Sequence, residues 1–166
     1  TILAEVDREV WTLPKIEEIF ASVRTKTKFF SSIDVSRGYW HCLISPKDRH
    51  KTAFKWRGRC LMFRRMPFGL FHSGDVFCKF LQKALDSVER SDHILSYVDD
   101  ILAFDDSYEE HMQTLEQVFK ALSSAGVRLG ACKCEFFKTE TTFMGRHISR
   151  NGISPDPKNI EAILAL

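Results

Sequence analysis

The sequence predicts an α+β domain: an antiparallel sheet with helices packed on one face. Three observations point there. Stretches with helical apolar spacing alternate with short apolar runs. Those runs are separated by hairpin-type turns. No repeat, low-complexity tract or long linker interrupts the 166 residues. At 44% apolar and 28% charged, the chain has an ordinary globular composition and enough length for one core.

Taken in order, Pro14 opens a helix with the apolar face Ile16, Ile19, Phe20 and Val23. Residues 29–35 read as a buried strand that carries Asp34 near its end, and 39–44 as a second extended piece. Residues 51–56 and 59–66 flank Arg57-Gly58, a hairpin turn. Met66-Pro67-Phe68-Gly69 breaks the pattern. A helix over 73–88 buries Val76, Phe77, Phe80, Leu81, Ala84, Leu85 and Val88. Residues 94–98 and 101–104 are apolar strands on either side of Asp99-Asp100. Ser107 with Glu110 forms a capping box. The helix it starts buries Met112, Leu115, Val118, Phe119 and Leu122, and Gly126 closes it. Residues 135–138 and 142–148 read as a late hairpin. Asn151-Gly152 is a turn, and Asp156-Pro157 starts a last helix.

No apolar run approaches the length needed to cross a bilayer, and the start lacks the pattern of a signal peptide. Five scattered cysteines, Cys42, Cys60, Cys78, Cys132 and Cys134, fit reduced thiols of an intracellular protein. Cys132 and Cys134 lack common zinc-knuckle spacing, which leaves a zinc site with His147 as a minor alternative. Net charge is +2 but unevenly placed. Lys47, Arg49, Lys51, Lys55, Arg57, Arg59, Arg64 and Arg65 make one segment basic, interleaved with Phe54, Trp56 and Phe63. Such a segment suits a polyanion. The start at Thr1 and the stop inside a helical pattern fit a segment of something longer.

Asp99-Asp100 sits between two apolar strands. Asp is a common turn residue, so the pair alone leaves an ordinary turn open. Yet this turn has neither Gly nor Asn-Gly, the residues a tight hairpin favours. It must use Val98, Asp99 or Asp100 instead, and a β-branched Val at positive φ is strained. Asp34 supplies a third acid from another buried strand. Crowded carboxylates raise one another's pKa, and divalent metal removes the conflict. Two Mg²⁺ ions roughly 3.5–4 Å apart would stabilise the attacking and leaving oxygens of a phosphoryl transfer.

Tyr97-Val98-Asp99-Asp100 resembles the Tyr-x-Asp-Asp box of reverse transcriptases. Further motifs of that family stand in order at similar spacing: the stretch from Phe30 through Asp34 to Tyr39, then Lys51-Thr52-Ala53-Phe54, and Met66-Pro67-Phe68-Gly69-Leu70. Lys133-Cys134-Glu135-Phe136, Phe143-Met144-Gly145 and Gly152-Ile153-Ser154-Pro155-Asp156-Pro157-Lys158 follow. The likeness is to polymerases of long-terminal-repeat retrotransposons of the Ty3/gypsy type, over nearly all of the chain from Leu13.

The resemblance implies an RNA-directed DNA polymerase core, residues 1–166 being a palm with part of the fingers. It implies that Asp34, Asp99, Asp100 and the backbone carbonyl of Val35 hold two Mg²⁺ ions, with Mn²⁺ as a substitute. Tyr39 is implied as the steric gate against a 2′-OH, which leaves an ordinary core tyrosine as the alternative. Phe68 and Gly69 are implied in the nucleotide pocket, and Lys133 beside the triphosphate as a proton donor to pyrophosphate. Tyr97, Val98, Met144, Gly145 and Arg65 are implied as contacts to primer and template. The implied partners are an RNA or DNA template-primer and deoxynucleotides, with no membrane. The implied setting is the cytoplasm or a retroelement particle.

The departures fall at Arg37, Trp40-His41-Cys42, His72-Ser73-Gly74, Cys78 and Leu129-Gly130, none of them an aspartate. The amino-terminal fingers, thumb and RNase H regions of the family are not matched in these residues, so the segment alone is expected to polymerise weakly or not at all. Two rivals remain: a domesticated palm that only binds nucleic acid, and a different nucleotidyl transferase with a related palm.

Overall fold

The computed structural model describes Phe20, Val23 and residues 26–157. The helix expected from Pro14 falls outside these residues except at Phe20 and Val23, and the last helix falls outside them beyond Pro157. In chain order the elements are β1 (Phe29–Asp34), β2 (Phe54–Trp56), β3 (Arg59–Leu61), α1 (Ser73–Leu85), β4 (Ile94–Tyr97) and β5 (Asp100–Asp105). Then come α2 (Tyr108–Ser124), β6 (Glu135–Lys138), β7 (Glu140–Phe143), β8 (Arg146–Ser149) and β9 (Gly152–Pro155). Short 3-10 turns cover Gly38–His41, Pro46–Thr52, Ser91–His93 and Ala131–Lys133.

The central sheet has the order β4-β5-β1-β6, and its paired neighbours run antiparallel. Successive side chains on a strand point to opposite faces, and both faces of this sheet are covered. Ile33, Val35, Ile101 and Ala103 pack with Phe77 and Leu81 of α1 and with Leu115, Val118 and Leu122 of α2. Phe30, Leu102 and Phe104 pack on the other side with Phe143 and Ile148, from a second sheet of order β7-β8-β9, and with Phe20. Double coverage explains why Ile101 to Asp105 are all buried and read as an unbroken apolar run rather than an alternation.

α1 stops at Leu85, short of the expected 88, whereas α2 starts and closes where the sequence places its caps. Ser107 Oγ accepts from the Glu110 N–H at 3.3 Å and donates to Glu110 Oε2 at 2.9 Å. Gly126 takes φ +70°, so the Val127 N–H reaches back to Leu122 O at 2.9 Å. That is the left-handed closure for which glycine carries no Cβ penalty.

Four expectations need correction. Residues 39–44 are not extended: Gly38–His41 is a 3-10 turn, and only Leu43 makes an isolated bridge, to Arg65. The reversal is made by Arg37 in the left-handed region (φ 56°), and not by the neighbouring Gly38, which does not take a positive φ. The basic hairpin is shorter than 51–66, because 46–52 is a 3-10 turn and pairing covers only Phe54–Trp56 with Arg59–Leu61. β6 does not pair with the strand after it; it joins the edge of β1, and β7 pairs with β8. Val76, Met112 and Phe119 are exposed rather than buried. They flank the narrower stripes, Phe77-Leu81-Leu85 and Leu115-Val118-Leu122, that meet the sheet.

A buried polar network ties the far end of β5 to α2. Asp105 is fully buried and accepts from Arg90 Nη2 (2.8 Å), Thr114 Oγ1 (3.0 Å) and His111 Nδ1 (2.8 Å). His93 Nδ1 lies 2.9 Å from Asp105 Oδ1 and 3.1 Å from Phe104 O, so one proton serves both acceptors. His111 Nε2 lies 2.6 Å from Ser31 Oγ, and that oxygen accepts from the Phe137 N–H. Ser31, His111 and Asp105 follow the bonding order of a hydrolase triad. All three have no exposed surface, so no substrate reaches them, and their role is to join β1, β5 and α2.

Candidate active site

The acidic tip is fixed by strand register. β1 pairs with β5 so that Asp34 stands directly opposite Asp100. Directly opposed residues of antiparallel strands share one face, with Cβ atoms roughly 4.5–5.5 Å apart. β4 and β5 close through Val98-Asp99, with Tyr97 opposite Asp100. The Val35 N–H then donates to Asp99 O at 2.8 Å, which fastens the turn to the end of β1. Val98 adopts φ +52°, the strain that the absence of Gly and Asn from this turn predicts.

Asp99 Oδ1 is buried and bonded to nothing among the described residues. A buried carboxylate oxygen without a partner carries its full desolvation cost. Asp34 instead turns Oδ1 to Lys133 Nζ at 3.2 Å. Among the described residues no three His, Cys, Asp or Glu side chains converge as a preassembled metal cage. The donor set still fits a hard divalent cation: all-oxygen, anionic and short of counter-charge.

Burial first, then the charges of Asp100 and Asp34, push the Asp99 carboxyl up, against weaker pulls from Lys133 and His41. Burial and then Asp34 push Asp100 up, opposed by Lys133. A carboxyl raised in the folded state holds its proton more tightly there, so stability falls as pH rises from the ordinary carboxylate range through the raised value. Asp99→Asn is therefore expected to melt above the wild-type chain at neutral pH. The gap should close below the ordinary carboxylate range. Thermal melts across pH check this; an Asp99→Asn variant that melts below wild type at pH 7 contradicts it.

Tyr39 leaves the 3-10 turn beside the tip. Its ring lies 5.2 Å from the Phe68 ring and 5.9 Å from that of Phe77. Burial, then Asp99 and Cys78, raise its hydroxyl, so it stays neutral. Phe68 is exposed and Gly69, beside it, takes φ +90°. Val35 is buried immediately after Asp34. Met144-Gly145 forms the β7–β8 turn with both residues at positive φ (52° and 72°). Met144 packs on the same apolar cluster as Tyr97, so this turn and the acidic hairpin rest on one cluster. Arg65 is held by Trp40 O (2.8 Å) and His41 O (3.3 Å).

Asp34, Val35, Tyr39, Asp99, Asp100 and Lys133 thus meet at one end of the sheet. Two glycines to which sequence reasoning gave no role of their own make room for them. A Cβ on Gly38 would collide with Asp99 Oδ1 and with the Phe77 ring, and one on Gly130 would collide with Asp34 Oδ2. Neither glycine has a positive φ, so no local turn pattern could have marked them. Cys134 also belongs to the support: its Sγ accepts from the Asp34 N–H at 3.4 Å. His147 lies beside Glu140 at 3.6 Å, and among the described residues it is not gathered with Cys132 and Cys134 into a metal-holding group.

Comparison with known proteins agrees with this architecture. The chain is 32% identical over 158 residues to the retrovirus-related Pol polyprotein from transposon 297 of Drosophila melanogaster, covering 93% of this chain and 14% of that one. It is 33% identical over 156 residues to the corresponding polyprotein from transposon gypsy of the same organism, covering 92% and 15%. It is 30% identical over 159 residues to the transposon Tf2-3 polyprotein of Schizosaccharomyces pombe, covering 96% and 12%. The chain therefore spans only a small part of each relative. The foamy viral protease-reverse transcriptase in complex with RNA/DNA hybrid superimposes with a TM-score of 0.80 at 29% identity, over 92% of this chain and 20% of that one. The same viral protein in complex with dsDNA gives 0.81 at 29% identity, over 95% and 32%. Residues 5–148 match the family described as reverse transcriptase (RNA-dependent DNA polymerase), and to that family the chain belongs.

Proposed function

We propose that this chain is the nucleotidyl-transfer core of a retrotransposon polyprotein, joining deoxynucleotides to a primer 3′-OH on an RNA or DNA template. The observation that carries the reading is the opposition of Asp34 and Asp100 across β1 and β5, with the unbonded Asp99 Oδ1 beside them. Asp34, Asp99 and Asp100, with the Val35 carbonyl, would hold two Mg²⁺ ions. When bound, such ions supply Lewis-acid stabilisation of the attacking and leaving oxygens.

The chain's own groups do the rest. Lys133 pairs with Asp34 at 3.2 Å; its exposed ammonium would also reach a triphosphate placed at the tip, where it can give a proton to the leaving pyrophosphate. Tyr39, braced by Phe68 and Phe77, forms a wall against the sugar and excludes a 2′-OH. Phe68 and Gly69 border the base. Tyr97, Val98, Met144 and Gly145 hold the primer end, supported by the apolar cluster that Tyr97 and Met144 share. Basic residues of the 47–65 segment meet the template backbone. The complexes of the foamy viral protein with RNA/DNA hybrid and with dsDNA support a template-primer as the partner.

Primer extension with Mg²⁺ tests the reading. The 166-residue chain alone is expected to extend weakly or not at all, and the same chain joined to its flanking polyprotein segments to extend well. In that longer protein Tyr39→Ala should lower discrimination against ribonucleotides by on the order of 10–100-fold. Unchanged discrimination removes the gate role. Failure of Mn²⁺ to bind in isothermal titration would instead favour a palm that only holds nucleic acid.

A further inference from the structure

On the side of β1 away from β5, the backbone of Asp34 is held by a turn instead of a strand. The Val35 N–H donates to Asp99 O, and bonding directions alternate along an antiparallel strand. The N–H and C=O of Asp34 therefore point the other way, toward the β6 side. β6 starts only at Glu135, opposite Ser32, and the residues before it form the 3-10 turn Ala131–Lys133. The ladder on this side thus stops before it reaches Asp34. The turn takes its place. The Gly130 N–H donates to Asp34 O at 2.9 Å, and the Asp34 N–H donates to Cys134 Sγ at 3.4 Å. The same thiol donates to Gly130 O at 3.5 Å, which joins the two contacts. Lys133, next to Cys134, puts Nζ 3.2 Å from Asp34 Oδ1.

A half-buried cysteine can serve here in two ways. Cys134 packs against the main core cluster, and packing alone needs no polar atom. Yet both polar capacities of the thiol are engaged, one of them by the residue whose carboxylate must be placed. Sulfur is a weak acceptor, but a part-buried N–H with no acceptor at all is costly. Removing the sulfur would therefore free the end of β1 at Asp34.

We propose that Cys134 is a positioning residue for Asp34: with Gly130 it fixes the backbone from which the Asp34 carboxylate reaches toward Asp99 and Asp100. The inference rests on the proposed cation-holding role of Asp34. Cys134→Ser keeps an acceptor and a donor, Cys134→Ala keeps neither, and Cys134→Val keeps only apolar bulk. A bonding role leaves Cys134→Ser nearest to wild type, whereas a packing role makes it the worst of the three.

Two measurements on the 166-residue chain test this. Amide hydrogen exchange of Asp34, followed by NMR in excess EDTA, reads the bond itself. Cys134→Ala and Cys134→Val should exchange there about tenfold faster than wild type, equivalent to about 1.4 kcal/mol, and Cys134→Ser at close to the wild-type rate. Leu102, fully buried in β5, is the control for a global loss of stability. Isothermal titration with Mn²⁺ reads the consequence: Cys134→Ala and Cys134→Val should bind about tenfold more weakly, and Cys134→Ser should recover most of the affinity. Equal Asp34 exchange in wild type and Cys134→Ala overturns the proposal, as does Cys134→Ser exchanging fastest of the three. Variants that speed exchange at Asp34 yet bind Mn²⁺ as wild type does also overturn it. All of these results leave Mn²⁺ binding by wild type, and so the polymerase reading, in place. A wild type that binds no Mn²⁺ sinks that reading, and the positioning role falls with it.

Discussion

Replacing Gly38 with alanine is expected to abolish productive cation binding and to lower nucleotide incorporation by at least about 100-fold in the longer protein, although Gly38 carries no functional group. Its added Cβ would occupy the space of Asp99 Oδ1 and of the Phe77 ring. Phe77 is fully buried in the main core and cannot yield cheaply. The carboxylate must therefore move, and a displacement on the order of 1 Å at a reacting centre costs about 100-fold. Mn²⁺ titration of the isolated chain and primer extension by the longer protein measure the two consequences. A Gly38→Ala variant that binds Mn²⁺ as wild type does would show that the tip is not positioned by this contact.

The second large effect lies at the opposite end of β5. Asp105→Ala is expected to cost about 3–5 kcal/mol, because it leaves the Arg90 guanidinium and the His111 imidazole without their buried acceptor. Total stability for a domain of this kind is about 5–15 kcal/mol, so the variant should be partly unfolded or close to it. Burial pushes the Asp105 carboxyl up, but the bonds from His111, Arg90 and Thr114 outweigh it and hold the group below its ordinary value. Its contribution is thus present above the ordinary carboxylate range and lost as pH falls through the lowered value. Asp99 and Asp100 respond with the opposite sign, so acid relaxes one end of β5 while it loosens the other. Urea denaturation of wild type and variant at neutral and acid pH reads both terms. Equal midpoints at pH 7 would dismiss the network as a stabilising element.

Much of the fold and the site is legible in the residues, for reasons that are local. Ser107 and Glu110 announce a helix start because a hydroxyl and a carboxylate three apart satisfy each other there. The strain at Val98 follows from arithmetic: two turn positions and no residue suited to positive φ. Where the sequence misleads, the deciding contact is remote. Residues 39–44 have the apolar content of a strand, but the chain turns at Arg37, a residue not suited to positive φ, rather than at Gly38 beside it. β6 matches its neighbour in sequence, yet its partner β1 lies about a hundred residues earlier, across the bulge between Phe30 and Ser32. Met112 and Phe119 have helical spacing, but the sheet is wide enough only for the stripe beside them. Gly38 and Gly130 leave no local trace because their role is to be absent from space that a carboxylate fills.

The pairing of Asp34 with Asp100 has a consequence for how the gene can vary. Strand register changes only in whole steps, and a single step turns every side chain to the other face. Insertion or deletion of one codon within β1 or β5 would move Asp34 from Asp100 to face Ile101 or the turn at Asp99, and no small relaxation restores the match. Point substitutions can erode such a site by degrees, but a frame-preserving one-residue indel in either strand ends it at once. On the proposed function, a polymerase that carries one there should fail in primer extension however well the rest of its sequence has survived.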